Sequence, residues 1–245
     1  MRARLYICYG MPKSGSTLAF QLSQAVAAAG GQRPDLQGEL TDMAGHKTAE
    51  VGEWSEPMLA HLLRLAEDRK RMLVVKTQAA PGAVLHAAMQ DGLVKAQAVC
   101  RDPRDIALSL VDMGRKGASL ALKGRTKILR GPEDARADIA GQVAVFHEWA
   151  ALPDVLALNY ERVTFDLKGA VARIAAHMGV RCWPWWVARS VERGKARESR
   201  SKPLRHHSEM AAASAADWQG EFGEFIATYC SDIPAGCLEQ PRRRA

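Results

Sequence analysis

Short apolar runs along this chain are separated by longer stretches in which apolar residues recur at helical spacing. Arg4 to Tyr9, Met72 to Thr77, Ala96 to Cys100 and Val155 to Asn159 read as strands. Gly15 to Ala29, Ala83 to Gln90, Asp105 to Met113, Ala135 to Ala150 and Leu167 to Met178 read as helices. Near-continuous apolar strands alternating with amphipathic helices imply a parallel sheet covered on both faces. The pattern predicts a three-layer α/β fold, a central parallel sheet flanked by helices. In such sheets ligands bind beyond the carboxyl ends of the strands.

Composition narrows the class. With 245 residues, 47% of them apolar, the chain can bury one sizeable core, and neither a linker nor a repeat divides it. A single domain over residues 1–245 is expected. The N-terminus lacks a basic lead followed by an apolar segment of roughly seven residues or more, and no apolar run approaches the roughly eighteen residues of a membrane span. These features predict a soluble, cytoplasmic protein without a transmembrane segment. Five cysteines, Cys8, Cys100, Cys182, Cys230 and Cys237, show no C-x-x-C spacing, so neither a disulfide framework nor a zinc site is implied.

Lys and Arg outnumber Asp and Glu by 34 to 27, a formal charge of +7. The excess is concentrated in two segments, 115–136 and 193–209. They read either as solvated loops or as lids that concentrate anions over a cleft. Neither interleaves aromatic residues for base stacking, which argues against a nucleic-acid partner.

The chemistry begins where the first strand ends. Gly10-Met11-Pro12-Lys13-Ser14-Gly15-Ser16-Thr17 lies between a strand and a helix. Glycines there allow a tight turn, successive N–H groups line a concavity, and Ser16 and Thr17 add hydroxyls at the positive end of the helix. The nucleotide-hydrolase loop G-x-x-x-x-G-K-[ST] carries lysine after its second glycine; here Ser16 takes that slot and the lysine comes earlier, as Lys13. A second element, Val99-Cys100-Arg101-Asp102-Pro103-Arg104-Asp105-Ile106-Ala107-Leu108-Ser109-Leu110, sets an arginine at a strand end and a serine eight residues later on a helix. A guanidinium offers forked, permanently charged donation to a phosphate, and the serine adds a neutral donor.

Together the two elements resemble the P-loop sulfotransferases that use 3′-phosphoadenylyl sulfate (PAPS) and release 3′-phosphoadenosine 5′-phosphate (PAP). The resemblance covers roughly positions 4 to 225. It implies that Pro12, Lys13, Ser14, Gly15, Ser16 and Thr17 hold the 5′-phosphosulfate, that Arg101 and Ser109 hold the 3′-phosphate, and that Tyr160, in the Asn159-Tyr160-Glu161 segment, contacts the adenine. Lys13 would stabilise the leaving phosphate, and no metal is expected. The acceptor would be a small molecule, lipid or saccharide bearing a hydroxyl or amine; oligomeric state is not legible.

Several positions depart from the family pattern. Where cytosolic members carry a histidine base in a Lys-Thr-His segment, this chain reads Lys76-Thr77-Gln78. Other branches use a glutamate after the loop helix, making Glu39 the first candidate base and His46 the second. The Arg-Lys-Gly phosphate contact is missing, leaving Arg205 as a replacement, while Ala216-Asp217-Trp218 matches the tail of that region. The loop tryptophan is Leu18, with Trp54 a conceivable substitute for adenine stacking. Trp183, Trp185 and Trp186 are expected to pack in the core at the start of a helix, an apolar acceptor pocket being the alternative. A non-catalytic PAP- or PAPS-binding protein and a small P-loop kinase remain the competing functions.

Overall fold

Five parallel strands, Leu5–Gly10 (β1), Glu50–Val51 (β2), Leu73–Thr77 (β3), Val94–Cys100 (β4) and Val155–Asn159 (β5), form one sheet in the order β2-β3-β1-β4-β5. The computed structural model describes residues 3–32, 40–41, 47–48, 50–115, 121–122, 125–126, 129–194 and 202–238. β1 lies at the centre, with Leu5 beside Leu73 of β3 on one side and Val94 of β4 on the other. The expected α/β architecture is present, and the two-residue edge strand β2 is an addition to the strands read from the pattern.

Successive side chains of a strand point to opposite faces, and β1 shows how two cores result. Leu5, Ile7 and Tyr9 join one hydrophobic cluster, while Tyr6 and Cys8 join the other. The helices are Ser16–Ala29 (α1), Glu56–Asp68 (α2), Gly82–Gln90 (α3), Pro103–Arg115 (α4), Arg136–Ala150 (α5), Tyr160–Phe165 (α6), Leu167–Met178 (α7), Pro184–Gly194 (α8), His206–Glu209 (α9), Ala212–Phe225 (α10) and Ala235–Leu238 (α11). The first cluster receives α2 to α5 and α10, and the second receives α1, α6, α7 and α8. Each fully buried Leu, Ile or Val in these layers contributes roughly 1.5–3 kcal/mol.

Two helices absent from the pattern reading carried recognisable signals. In α2, Leu59, Leu62 and Ala66 are buried at helical spacing, and the Met58 N–H donates to the Ser55 hydroxyl at 3.4 Å as an N-cap bond. In α10, Trp218, Phe222 and Phe225 repeat the spacing, and the Trp218 indole N–H donates to Glu133 Oε1 at 2.9 Å. Trp218 is therefore a core residue. Trp54 is likewise buried in the first cluster.

At the carboxyl end of β4 and β5 the interior becomes charged. Arg101, Asp102, Asp105, Glu161 and His206 are all buried. Asp105 accepts from His206 Nδ1 at 2.8 Å, the His206 N–H at 2.8 Å and the Arg205 N–H at 3.1 Å. Burial alone would raise the Asp105 pKa, but the His206 hydrogen bonds and the Arg101 charge outweigh it and hold the carboxyl below its ordinary value.

Glu161 lacks such compensation. It is 1% exposed, and neither carboxylate oxygen makes a well-formed hydrogen bond among the described residues. Burial pushes its pKa up to about 7; its own backbone N–H and Arg101 oppose the rise, and Asp105 and Asp102 add to it. From about pH 4.5 to about 7 the folded chain therefore retains a proton that the unfolded chain has released, so stability falls as pH rises through that window. The penalty, roughly 1–3 kcal/mol, is fully present above the folded pKa. Thermal melting should show Glu161→Gln matching the wild type near pH 4 and exceeding it by roughly 3 °C or more at pH 8. Equal melting temperatures at both pH values would show that Glu161 ionises in the folded state without cost.

Candidate functional site

The turn that leaves β1 is set by backbone constraints before any side chain enters. A Cβ on Gly10 would stand 2.5 Å from Ser16 Cβ, so the loop closes on itself only because that position is glycine. Gly15 sits at φ 80° and Lys13 at φ 66°, both in the left-handed region. That conformation costs a non-glycine residue on the order of 1–2 kcal/mol. Left-handed residues on either side of Ser14 bend the backbone sharply, and turns of this kind are where N–H groups form anion-binding concavities. The Ser14 hydroxyl donates to the Met11 carbonyl at 2.6 Å and the Ser14 N–H donates to the same carbonyl at 3.2 Å, so Ser14 closes the loop from inside.

Helix α1 opens from this loop with Gly15 as its N-cap, no side-chain cap and no acid in its first turn. Its first N–H groups and the positive end of its dipole are thus left for an external acceptor. Ser16 is buried at the helix start and Thr17 is exposed beside it; Pro12 and Lys13 are half-buried. The Lys13 ammonium contacts the Met113 thioether at 3.8 Å.

Arg101 connects this loop to three other segments. Its guanidinium lies 3.8 Å over the Tyr160 ring, donates to the carbonyls of Lys13 at 3.4 Å and Lys202 at 3.3 Å, and stands 3.5 Å from Asp105 Oδ2. The Tyr160 ring in turn backs Gly15, where an added Cβ would meet Tyr160 Cδ2 at 3.2 Å. The loop, Arg101 and Tyr160 therefore form one surface, as the sequence motifs imply.

Two arginines occupy this segment, and their environments differ. Arg104 holds Asp102 through Nε at 2.9 Å and a terminal nitrogen at 2.6 Å, a tight bidentate pair. Arg101 makes only contacts of 3.3–3.5 Å, and its buried Nε has no hydrogen-bond partner among the described residues. Arg104 is committed to structure, whereas Arg101 keeps donor capacity for a phosphate. Ser109 belongs to the same surface by helical geometry. Asp105, which faces Arg101, and Met113, which meets Lys13, lie four residues before and after it on one stripe of α4.

Of the remaining sequence candidates, only some lie within the described residues. Glu39 and His46 lie outside the described residues, as do parts of the basic segments. The described end of the second segment is fastened by Asp105 through His206, and Arg205 is held by Asp112 at 2.7 Å and Glu209 at 2.6 Å. Lys76 pairs with Glu50 at 3.4 Å, and Gln78 is exposed just past β3. The indole expectation fails: Trp183, Trp185 and Trp186 are 75%, 55% and 59% exposed, because α8 packs inward through Val187 and Ala188 instead. Among the described residues there is no group of three or more His, Cys, Asp or Glu arranged for a metal ion.

Motif reasoning missed Asp105, Glu161 and His206. The Arg101–Asp105 spacing of four residues was a usable signal; the His206 contact, across 101 positions, had none.

Solved structures share the fold. Retinol dehydratase in a complex with retinol and PAP is similar with a TM-score of 0.58 and 15% identity, covering 96% of this chain and 84% of that one. A mouse sulfotransferase complexed with PAP has a TM-score of 0.51 and 14% identity, with 91% and 84% covered. No curated protein sequence is a significant match. The family model of the sulfotransferase domain matches residues 5–233, from β1 past the last turn packed on β5, and this chain belongs to that family.

Proposed function

We propose that this protein transfers a sulfuryl group from PAPS to a hydroxyl or amine of a small-molecule, lipid or saccharide acceptor. The observation that carries the reading is the shared surface of the Lys13 loop, Tyr160 and Arg101, on which two anion-binding elements flank an aromatic ring. PAPS fits that donor set: the loop N–H groups suit its 5′-phosphosulfate, the orphaned Arg101 Nε with Ser109 suits its 3′-phosphate, and Tyr160 suits the base. Bound there, it would supply an activated sulfuryl group on a phosphate leaving group. Both similar structures named above contain PAP. The five described cysteines are all free thiols, which accords with a reducing cytoplasmic setting.

In this reading Lys13 acts on charge that grows during transfer, while Arg101 and Ser109 act on charge that stays constant. Interactions that strengthen only in the transition state raise turnover, and uniform ones raise affinity. The loop amides hold the phosphosulfate in line with the acceptor, which supplies the positional part of the rate. Glu39 is the proposed base that takes the acceptor's proton. A PAP- or PAPS-binding protein without transfer is the second reading, favoured by the exposed Gln78 beyond β3 and the pairing of Lys76 with Glu50. A screen of acceptors with sulfur-labelled PAPS separates the two, because only the first reading gives labelled product.

Calorimetry should find PAP binding at least tenfold tighter than AMP, without a magnesium requirement, since a charge-assisted phosphate contact is worth roughly 1.5–3 kcal/mol. Ser109→Ala leaves the buried Arg101–Asp105 pair intact and should cut the preference for PAP by roughly two- to tenfold. Equal affinities for PAP and AMP in the wild type would remove the 3′-phosphate assignment.

Steady-state kinetics should show Lys13→Ala lowering kcat far more than it raises the Kd for PAP, with Arg101→Ala doing the reverse. Glu39→Gln should lose about two orders of magnitude in kcat, the lower range for a general base. A Lys13→Ala variant altered in affinity alone would reduce the loop to a cradle.

A further inference from the structure

Three tryptophans at the start of α8 stand in solvent. Trp183, Trp185 and Trp186 are 75%, 55% and 59% exposed, although α8 has an apolar side already buried through Val187 and Ala188 against the cluster that contains α1 and α7. The helix therefore has two apolar surfaces, one packed and one facing outward. Scattered exposed apolar side chains are ordinary, but three indoles within four residues form a contiguous patch of the kind that marks an interaction site.

The charges around the patch select the partner. Arg181, Arg189 and Arg193 are exposed on the same helix and its lead-in, and Lys168 is exposed at the start of α7. An open groove of about 650 Å³ between α7 and α8 is lined by Trp185, Lys168, Arg189 and Arg193. Of the neighbouring acids, Glu192 is exposed, while Asp166 is engaged with Arg162 at 2.5 Å and caps Gly169 at 2.9 Å. The face is thus aromatic at one end of the helix and cationic along its length, on a chain whose formal charge is +7.

Indole rings partition to the boundary between hydrocarbon and headgroups, and arginine side chains snorkel to phosphates while their stems cover apolar surface. Anionic leaflets attract clustered basic residues. A second copy of this chain would set the same arginines against one another, so the charge pattern disfavours self-association through this face. Among the described residues no helix is long and apolar enough to cross a membrane, so contact would be made from the surface.

We propose that the outer face of α8, with the start of α7, docks onto an anionic phospholipid bilayer, Trp183, Trp185 and Trp186 entering the interface and Lys168, Arg189 and Arg193 meeting lipid phosphates. The proposal is independent of the sulfotransferase reading, because it concerns a surface formed by α7 and α8 and its test needs no turnover.

The test is flotation of the full-length protein with vesicles of phosphatidylcholine alone and of phosphatidylcholine mixed with phosphatidylglycerol, read together with tryptophan emission. The wild type should float with the mixed vesicles at least tenfold more than with neutral ones, with a blue shift in emission, and raising salt should reverse it. Replacing Trp183, Trp185 and Trp186 together by serine should abolish flotation, and Arg189→Glu with Arg193→Glu should reduce it at least fivefold. Circular dichroism and thermal melting report folding of each variant; should the triple variant fail to fold, Trp183→Ser alone is read, with at least a threefold loss expected. Absence of wild-type flotation, equal flotation of the folded tryptophan variants, or tryptophan-dependent dimerisation without vesicle binding would each overturn the proposal.

Discussion

A guanidinium buried to 4% exposure at the end of the fourth strand organises the functional end of this protein. A charge removed from water must be paired, because its desolvation otherwise costs several kcal/mol. Arg101 meets that demand with the Tyr160 ring, the Lys13 and Lys202 carbonyls and the Asp105 carboxylate. Four chain segments are drawn to one point as a result: the phosphate loop, helix α4, the β5–α6 junction and the stretch leading into α9. Asp105 is in turn fixed by His206 and the Arg205 N–H. The length of the Arg101 contacts, beside the tight Arg104–Asp102 pair, shows that the pairing is sufficient without saturating its donors.

The sheet explains why these groups meet where they do. All five strands are parallel, so their carboxyl ends lie along one edge, and β1 sits between β3 and β4. The loop after β1, the arginine after β4 and the tyrosine after β5 are therefore neighbours in space although 88 and 59 positions separate Arg101 from Lys13 and from Tyr160. Burial at that edge, helped by Asp105 and Asp102 and opposed by Arg101, holds Glu161 protonated to about pH 7.

Features governed by local backbone demands were legible in the sequence. Gly10 and Gly15 announce a turn that no other residue tolerates, and the apolar runs locate the four main strands to within a residue or two. What escaped was set by tertiary context. The two-residue strand β2 is too short to show a pattern. The bond between Asp105 and His206 spans 101 positions and leaves no periodicity. The three indoles at the start of α8 were expected to pack in the core, yet the helix packs inward through Val187 and Ala188 and leaves them exposed, and large apolar residues are not obliged to be buried. Helix α2 was readable from its Ser55 cap and the spacing of Leu59, Leu62 and Ala66, and α10 from the spacing of Trp218, Phe222 and Phe225.

The account stands on Arg101 and Ser109 forming a phosphate site beside the Lys13 loop. A crystal structure of the protein with PAP tests this most directly. The prediction is a 5′-phosphate within hydrogen-bonding distance of the loop N–H groups, the adenine against Tyr160, and the 3′-phosphate accepting from Arg101 and Ser109. A nucleotide bound elsewhere, or a 3′-phosphate held by other residues while Arg101 keeps only its contacts to the Lys13 and Lys202 carbonyls, would contradict it.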